Sequence, residues 1–341
     1  MSLPKSRPPV APAAERFAQA LGLVPELVAV EEIIRNSFRS DVTPMREIPE
    51  YLLSLGGKRI RPALTLLTAR AFGADTLSQD ILDVAAGIEL IHMATLMHDD
   101  IIDQSPVRRH KPSPYAQFGI PLTLLSGDFL LTRAFGLCAK LDDVIINATE
   151  QACIELVEGE ALETPMHTFE HSRASSITIA QRKTASLFRL ATFCAGHLTG
   201  TPRVAVEALS QFGEALGVSF QMIDDILDVV STEAVLGKQP GLDLSERKPS
   251  IVNVLWLESG DPLAALLQQP PDPQRDPEFV RRALAELPSS TALRSAKELA
   301  FEYAAQARTA LDTALLNAHQ KATPASDALH AVIDFALERL S

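Results

Sequence analysis

Apolar residues recur along nearly the whole chain at intervals of three and four, the spacing that lines one face of an α-helix. Alternating runs enriched in β-branched residues are scarce. The pattern predicts an all-α protein. Clusters of glycine, proline and serine interrupt it at Gly56-Gly57 and within residues 73–78, 105–121, 165–175, 200–203, 231–249 and 268–277, where such residues end helices. These breaks leave about ten or more helices. Residues 85–102, 185–198 and 215–230 are apolar on most faces and are expected at the centre of a large bundle around a cavity. No composition shift divides the chain, so residues 26–341 read as a single domain, with 268–277 a surface connection into two or three C-terminal helices. Residues 1–25, rich in proline, read as a disordered leader.

Two copies of one polar pattern break into the apolar runs: Asp99-Asp100-Ile101-Ile102-Asp103 and Asp224-Asp225-Ile226-Leu227-Asp228. On a helix the first and last aspartate of each share a face, and the middle one lies about 100° round. A single copy in an acidic chain reads as a solvated helix face. Two copies, each bordered by apolar residues, call for compensation, because a carboxylate taken out of water costs several kcal/mol. Magnesium suits that role: it takes carboxylate oxygens and completes its shell with water and substrate phosphate. Asp99, Asp100, Asp103, Asp224, Asp225 and Asp228 are therefore candidate ligands for metal carrying a diphosphate.

Composition narrows the picture. Among 341 residues, 31 are Lys or Arg and 43 Asp or Glu, a net charge of -12, which argues against a nucleic-acid surface. Cys138, Cys153 and Cys194 lie in apolar helical contexts and read as thiols of a reducing cytoplasm. No apolar run approaches the eighteen or more residues that a membrane span requires, and no signal-peptide core is seen, so no membrane anchor is expected. Basic residues must act locally. Lys58 and Arg61 follow Gly56-Gly57 and are expected one helical turn apart. Arg108-Arg109 lies in the loop after the first motif, and arginine's planar fork suits phosphate oxygens. His92 lies two turns before Asp99; a lone histidine on an apolar face is usually a satisfied core residue. Lys183, Thr184, Gln221 and Lys238 complete the polar set.

Taken in order, GGKRIRP (56–62), ELIHMATLMHDDIID (89–103), VRRHKPS (107–113), SGDFLLTRA (126–134), GE (159–160), KTASLF (183–188), FQMIDDILD (220–228), GKQPGLD (237–243) and Lys248 resemble the trans-isoprenyl diphosphate synthases, the polyprenyl synthetase family. The resemblance spans nearly everything after the leader. It implies a magnesium-dependent, head-to-tail condensation of isopentenyl diphosphate with an allylic diphosphate by a homodimer. Isopentenyl diphosphate would sit on Lys58, Arg61, His92 and Arg109. The allylic diphosphate would be held through metal on the six aspartates, assisted by Arg108, Lys183 and Lys238. Lys183, Thr184 and Gln221 would face the allylic cation.

In the family an aromatic residue five positions before the first aspartate blocks the product tunnel. Here Ala94 and then Thr95 stand there, with Ile91 and Ile88 deeper on the helix. Small side chains favour products longer than farnesyl diphosphate, of the quinone side-chain type. A geranylgeranyl or farnesyl product is the alternative. A non-catalytic subunit of a heteromeric synthase, or a terpene cyclase, is the rival from another class; the first tends to lose one aspartate motif, and the second has no use for a second diphosphate site. Three positions depart from the family pattern: His110 in place of glycine, Glu163 in place of glutamine, and Ser250-Ile251-Val252 in place of Thr-x-Pro. A histidine at 110 is expected to fit poorly if the loop needs glycine's backbone angles.

Overall fold

The computed structural model describes residues 23–232 and 239–340. The leader lies outside the described residues except for its last three, where the first helix starts; Lys238 also lies outside them. Among the described residues the regular elements are helices, apart from one small hairpin, as the periodicity predicts. They form two compact units: residues up to Leu66 with Thr76–Leu141, and Leu67–Asp75 with Asp142 onward.

The first unit contains α1 (Val24–Ser37), α2 (Pro44–Ser54), the start of α3 (Ile60–Ala71), α4 (Gln79–Ile102), strands β1 (Val107–Arg108) and β2 (Lys111–Pro112), α5 (Pro114–Phe118) and α6 (Ile120–Cys138). Helix α4 is its axis, buried along most of its length and packed chiefly on α6 and α1. Its start is fixed by Ser78, whose side chain accepts from the Ile81 N–H. The strands pair antiparallel through Arg108 and Lys111; two residues per strand are too few to leave an alternating signature.

The second unit contains the end of α3, α7 (Asp143–Leu162), α8 (Arg173–Ile179), a π-helical turn (Ala180–Ala185), α9 (Ser186–Leu198), α10 (Arg203–Val230), α11 (Leu242–Ser245), α12 (Ile251–Glu258), α13 (Asp276–Glu286), α14 (Thr291–Asn317) and α15 (Pro324–Glu338). Helix α10 is the hub, packed against α14 and α9. Met222, Ile226, Trp256, Phe279, Leu293 and Ala300 share one buried cluster, and each large member contributes about 1.5–3 kcal/mol by leaving water. Side-chain caps set the starts of α7, α8, α12, α14 and α15 from Asp142, Ser172, Ser250, Ser290 and Thr323. The three stretches expected at the centre belong to α4, α9 and α10 and are largely buried.

Two expectations need correction. Two helices, Gln79–Ile102 and Ile120–Cys138, are long and apolar enough to cross a membrane; counting uninterrupted apolar runs missed them, because a few polar residues scattered along a helix do not spoil its mean hydropathy. The first has 72% of its most apolar window buried, the second 33%. And Lys58 is not one helical turn from Arg61: α3 starts at Ile60, Arg59 has a φ of +52°, and Lys58 sits in the preceding loop.

Candidate active site

In the first unit four arginines surround one histidine. His92, half-buried on α4, is held well below its ordinary pKa by burial and by the positive charges of Arg61, Arg108, Arg109 and Arg59. The imidazole stays neutral, and the guanidiniums form a basic set fit for a polyanion. Burial, with Arg108 and Arg59 nearby, also lowers Arg109 to about 10. Sequence reasoning assigned Arg61, His92, Arg108 and Arg109 to substrate and overlooked Arg59. That side chain turns inward, 7% exposed, with Nε 3.1 Å from Glu31 and Nη1 3.4 Å from Glu89. It fastens the loop carrying Lys58 to α1 and α4. Nothing in the sequence distinguishes it from its basic neighbours.

Arg109 and His110 form the turn between β1 and β2, with φ of +52° and +62°. Both central residues of a tight hairpin turn need positive φ, so the misfit expected at His110 is present, at a cost of about 1 kcal/mol or more relative to glycine.

The neutral His92 has a consequence for stability. Its folded pKa is below 6.5 and its unfolded pKa near 6.5, so the unfolded chain takes up the proton first as pH falls. Its contribution is complete above about pH 6.5 and declines below it, by up to about 1.4 kcal/mol per pH unit. Urea unfolding at pH 7.5 and 5.5 is expected to show a smaller loss in His92→Gln than in wild type; equal losses would refute this.

The aspartate motifs share a feature that the helical wheel alone does not reveal. In each, the middle carboxylate is deeply buried and accepts two or more hydrogen bonds. Asp100, 2% exposed, receives Arg108 through Nε and Nη2 at 2.7–3.1 Å, yet burial still raises its pKa. Asp99 and Asp103 are half-buried, and Asp103 caps the end of α4. His98, just before the motif, reaches Leu124 O and Asp128 of α6 at 3.2 and 3.6 Å.

In the second unit Asp225 accepts from the Gln221 amide at 2.8 Å and from the Ile251 N–H at 2.9 Å. Burial nevertheless pushes its carboxyl up to about 7, with Glu163 and Asp224 adding to the rise. Asp228 is buried and accepts from the Asp243 N–H at 3.1 Å. Asp224 is 41% exposed and pairs at 2.7 Å with Arg339, at the end of α15; no signal in the sequence linked those two. A cation beside this acidic set would relieve the penalty on Asp225, and carboxylate oxygens are the donors a hard divalent ion takes, although among the described residues no three such side chains are drawn together tightly enough to hold an ion by themselves.

The π-helical turn carries Lys183 and Thr184. Such wide turns are rare and recur at functional sites. Glycines permit this one. A Cβ at Gly159 on α7 would lie 2.9 Å from the Lys183 Cα, and one at Gly217 on α10 would lie 2.7 Å from the Ala185 Cβ, so both helices approach the turn at backbone distance. Thr184 donates to Gln221 at 2.6 Å, joining the turn to Asp225. Lys183 Nζ lies 2.6 Å from both Glu160 and Glu163. Thus the second unit brings together Lys183, Thr184, Gln221 and the second aspartate motif. Ala94, Ile91 and Ile88 are buried on α4, and Thr95 bonds the His92 carbonyl at 2.9 Å.

An all-helical scaffold with two aspartate motifs and separate arginine and lysine sets is that of a prenyltransferase, an enzyme acting on diphosphates. The chain belongs to the polyprenyl synthetase family, whose model matches residues 42–287. It is 35% identical over 316 residues to a nonaprenyl diphosphate synthase of Mycobacterium tuberculosis, covering 91% of each chain. It is 36% identical over 239 residues to an octaprenyl diphosphate synthase of Escherichia coli, covering 70% of this chain and 73% of that one. Among solved structures it is similar to a polyprenyl synthase from Caulobacter crescentus complexed with calcium and isoprenyl diphosphate, at 31% identity and a TM-score of 0.85, covering 98% of this chain and 100% of that one.

Proposed function

We propose that the chain joins isopentenyl diphosphate head to tail to an allylic diphosphate, releasing diphosphate and giving an all-trans polyprenyl diphosphate longer than farnesyl, with residues 26–341 acting as one catalytic domain. The observation that carries this is the presence of two polyanion-binding sets in one chain: arginines around a neutral His92, and the turn of Lys183 and Thr184 joined through Gln221 to Asp225 of α10.

Isopentenyl diphosphate rests on Lys58, Arg61, His92 and Arg109. The allylic diphosphate would be held by Arg108, Lys183 and Lys238, and magnesium would be held by Asp99, Asp100, Asp103, Asp224, Asp225 and Asp228. When bound, the metal would supply Lewis-acid neutralisation of the charge that gathers on the leaving diphosphate. As the allylic C–O bond breaks, Lys183 and Arg108 each offer positive charge to the departing oxygens. Thr184, Gln221 and the carbonyls of the π-helical turn turn their dipoles to the allylic cation. The isopentenyl double bond attacks that cation, forming the new C–C bond, and the departing diphosphate takes the proton then lost. The arginine set fixes the isopentenyl group for attack with water excluded.

The purified protein, magnesium, isopentenyl diphosphate and each allylic primer in turn should release diphosphate and give a chain longer than farnesyl on chromatography. No product from the isolated chain would favour a non-catalytic subunit; a farnesyl or geranylgeranyl product would overturn the length assigned. Ala94 is fully buried, and Ala94→Tyr is expected to shorten the product by several isoprene units. An unchanged length would remove Ala94 from the product tunnel.

The protein acts as a cytoplasmic homodimer. Helix α6 supports this, since Ile120, Leu122, Leu124 and Leu125 are 39–54% exposed on it, an apolar face of the kind that marks an interface. Sedimentation should give twice the chain mass for wild type and a monomer for Leu122→Glu with Leu125→Glu; a monomeric wild type would reject the dimer.

A further inference from the structure

One carboxylate in the second unit is set against the lysine assigned to the allylic diphosphate. Glu163 follows the last residue of α7 and reaches Lys183 Nζ at 2.6 Å and Lys248 Nζ at 3.8 Å. Glu160, a turn earlier, holds the other side of Lys183 at 2.6 Å, and Glu246 lies 3.3 Å from Lys248. All five side chains are less than a quarter exposed. The cluster therefore sets three carboxylates against two ammonium groups, where solvent screens little. A glutamine at 163, the residue common in the family, would accept the same hydrogen bond without the charge.

We propose that Glu163 is a positioning residue that competes with the allylic diphosphate for Lys183, and so holds down the affinity for that substrate while leaving the affinity for isopentenyl diphosphate unchanged. When the diphosphate binds, Lys183 turns to its oxygens, and Glu163 keeps Lys248 as partner. The carboxylate thus aims the ammonium group in the free enzyme and is not left uncompensated in the loaded one. Its anionic charge stays within 2.6 Å of the resting Lys183 ammonium, so it opposes a diphosphate drawn to that lysine and weakens the grip on substrate and product alike. The inference rests on the assignment of Lys183 to the allylic diphosphate.

Equilibrium titration with farnesyl S-thiolodiphosphate, an allylic analogue whose carbon–sulfur bond resists ionisation, tests both in the presence of magnesium. Glu163→Gln and Glu163→Ala should each tighten the analogue by about tenfold, the effect of removing one charge near the phosphates. Binding of isopentenyl diphosphate alone should stay within about twofold in both. In a Lys183→Ala background the gain from Glu163→Gln should fall by more than half, because the two residues act on one another. Folded variants that bind the analogue no more tightly, or that tighten both ligands equally, would overturn the proposal while leaving the site assignment intact. If Lys183→Ala alone binds the analogue as well as wild type does, the assignment fails, and the proposal fails with it.

Discussion

Gly159→Ala is expected to lower kcat about a hundredfold while the circular dichroism stays that of a folded helical protein and the melting temperature falls by only a few degrees. The position is interior to α7, where alanine favours the helix by about 1 kcal/mol over glycine, so its own helix gains. The loss falls on the neighbouring backbone. The added Cβ would meet the Lys183 Cα and the Arg182 Cβ at 2.9 Å, nearer than carbon atoms approach without repulsion. Backbone cannot swing aside as a side chain can, so the π-helical turn must shift bodily. A displacement of about 1 Å in a group that orients reacting atoms costs about 10²-fold. Gly136→Ala is the control, since nothing lies within 4 Å of its added Cβ; it should retain full activity. Full activity in Gly159→Ala would mean that the turn does not set the position of Lys183.

Arg59→Leu is expected to destabilise the first unit by about 3–5 kcal/mol, the cost of removing one partner from a buried ion pair. Its guanidinium serves Glu31 and Glu89 together and also donates to the Gly56 carbonyl at 3.3 Å. Without it, Glu89, 5% exposed at its side chain, loses its bonded guanidinium and keeps only the charge of Arg109 nearby. Urea unfolding followed by fluorescence or circular dichroism measures the loss. Adding Glu89→Leu should restore part of it, because the second leucine fills space and removes the more deeply buried of the two carboxylates that Arg59 serves. The KM for isopentenyl diphosphate should rise in Arg59→Leu, since the loop bearing Lys58 loses its fastening. A stability change below about 1 kcal/mol would mean that the pair is solvated in solution.

What the sequence made readable is tied to signals that act over a few residues. Apolar spacing marked α4, α9 and α10, and glycine or proline marked the ends of α2, α3 and α9 at Gly56, Gly73 and Gly200. The aspartate motifs stood out because charges inside apolar helices are costly and therefore rare. The break between α6 and α7 has no glycine or proline and is set by the Asp142 cap alone, a signal that one acidic residue among many does not advertise. The π-helical turn was hidden because one residue more per turn barely disturbs an apolar pattern. Its glycine companions lie about 25 and 35 residues away, and no local rule connects them. Arg59 and Arg339 were missed for a related reason: which of several arginines turns inward depends on tertiary packing. His110 was anticipated, since the left-handed region is closed to most side chains by local sterics.

The π-helical turn also has a bearing on how this chain tolerates length changes. A wide turn of this kind holds one residue beyond the α-helical count, so excising a single residue from 180–185 would let ordinary winding run through with the helices on either side still in phase. The damage would stay local: Lys183 and Thr184 would lose the placement that the wide turn gives them, although fold, composition and hydrophobicity would hardly alter. A one-residue deletion elsewhere in these helices would instead turn everything beyond it by about 100°, so this segment is the place where the chain can shed length and keep its packing.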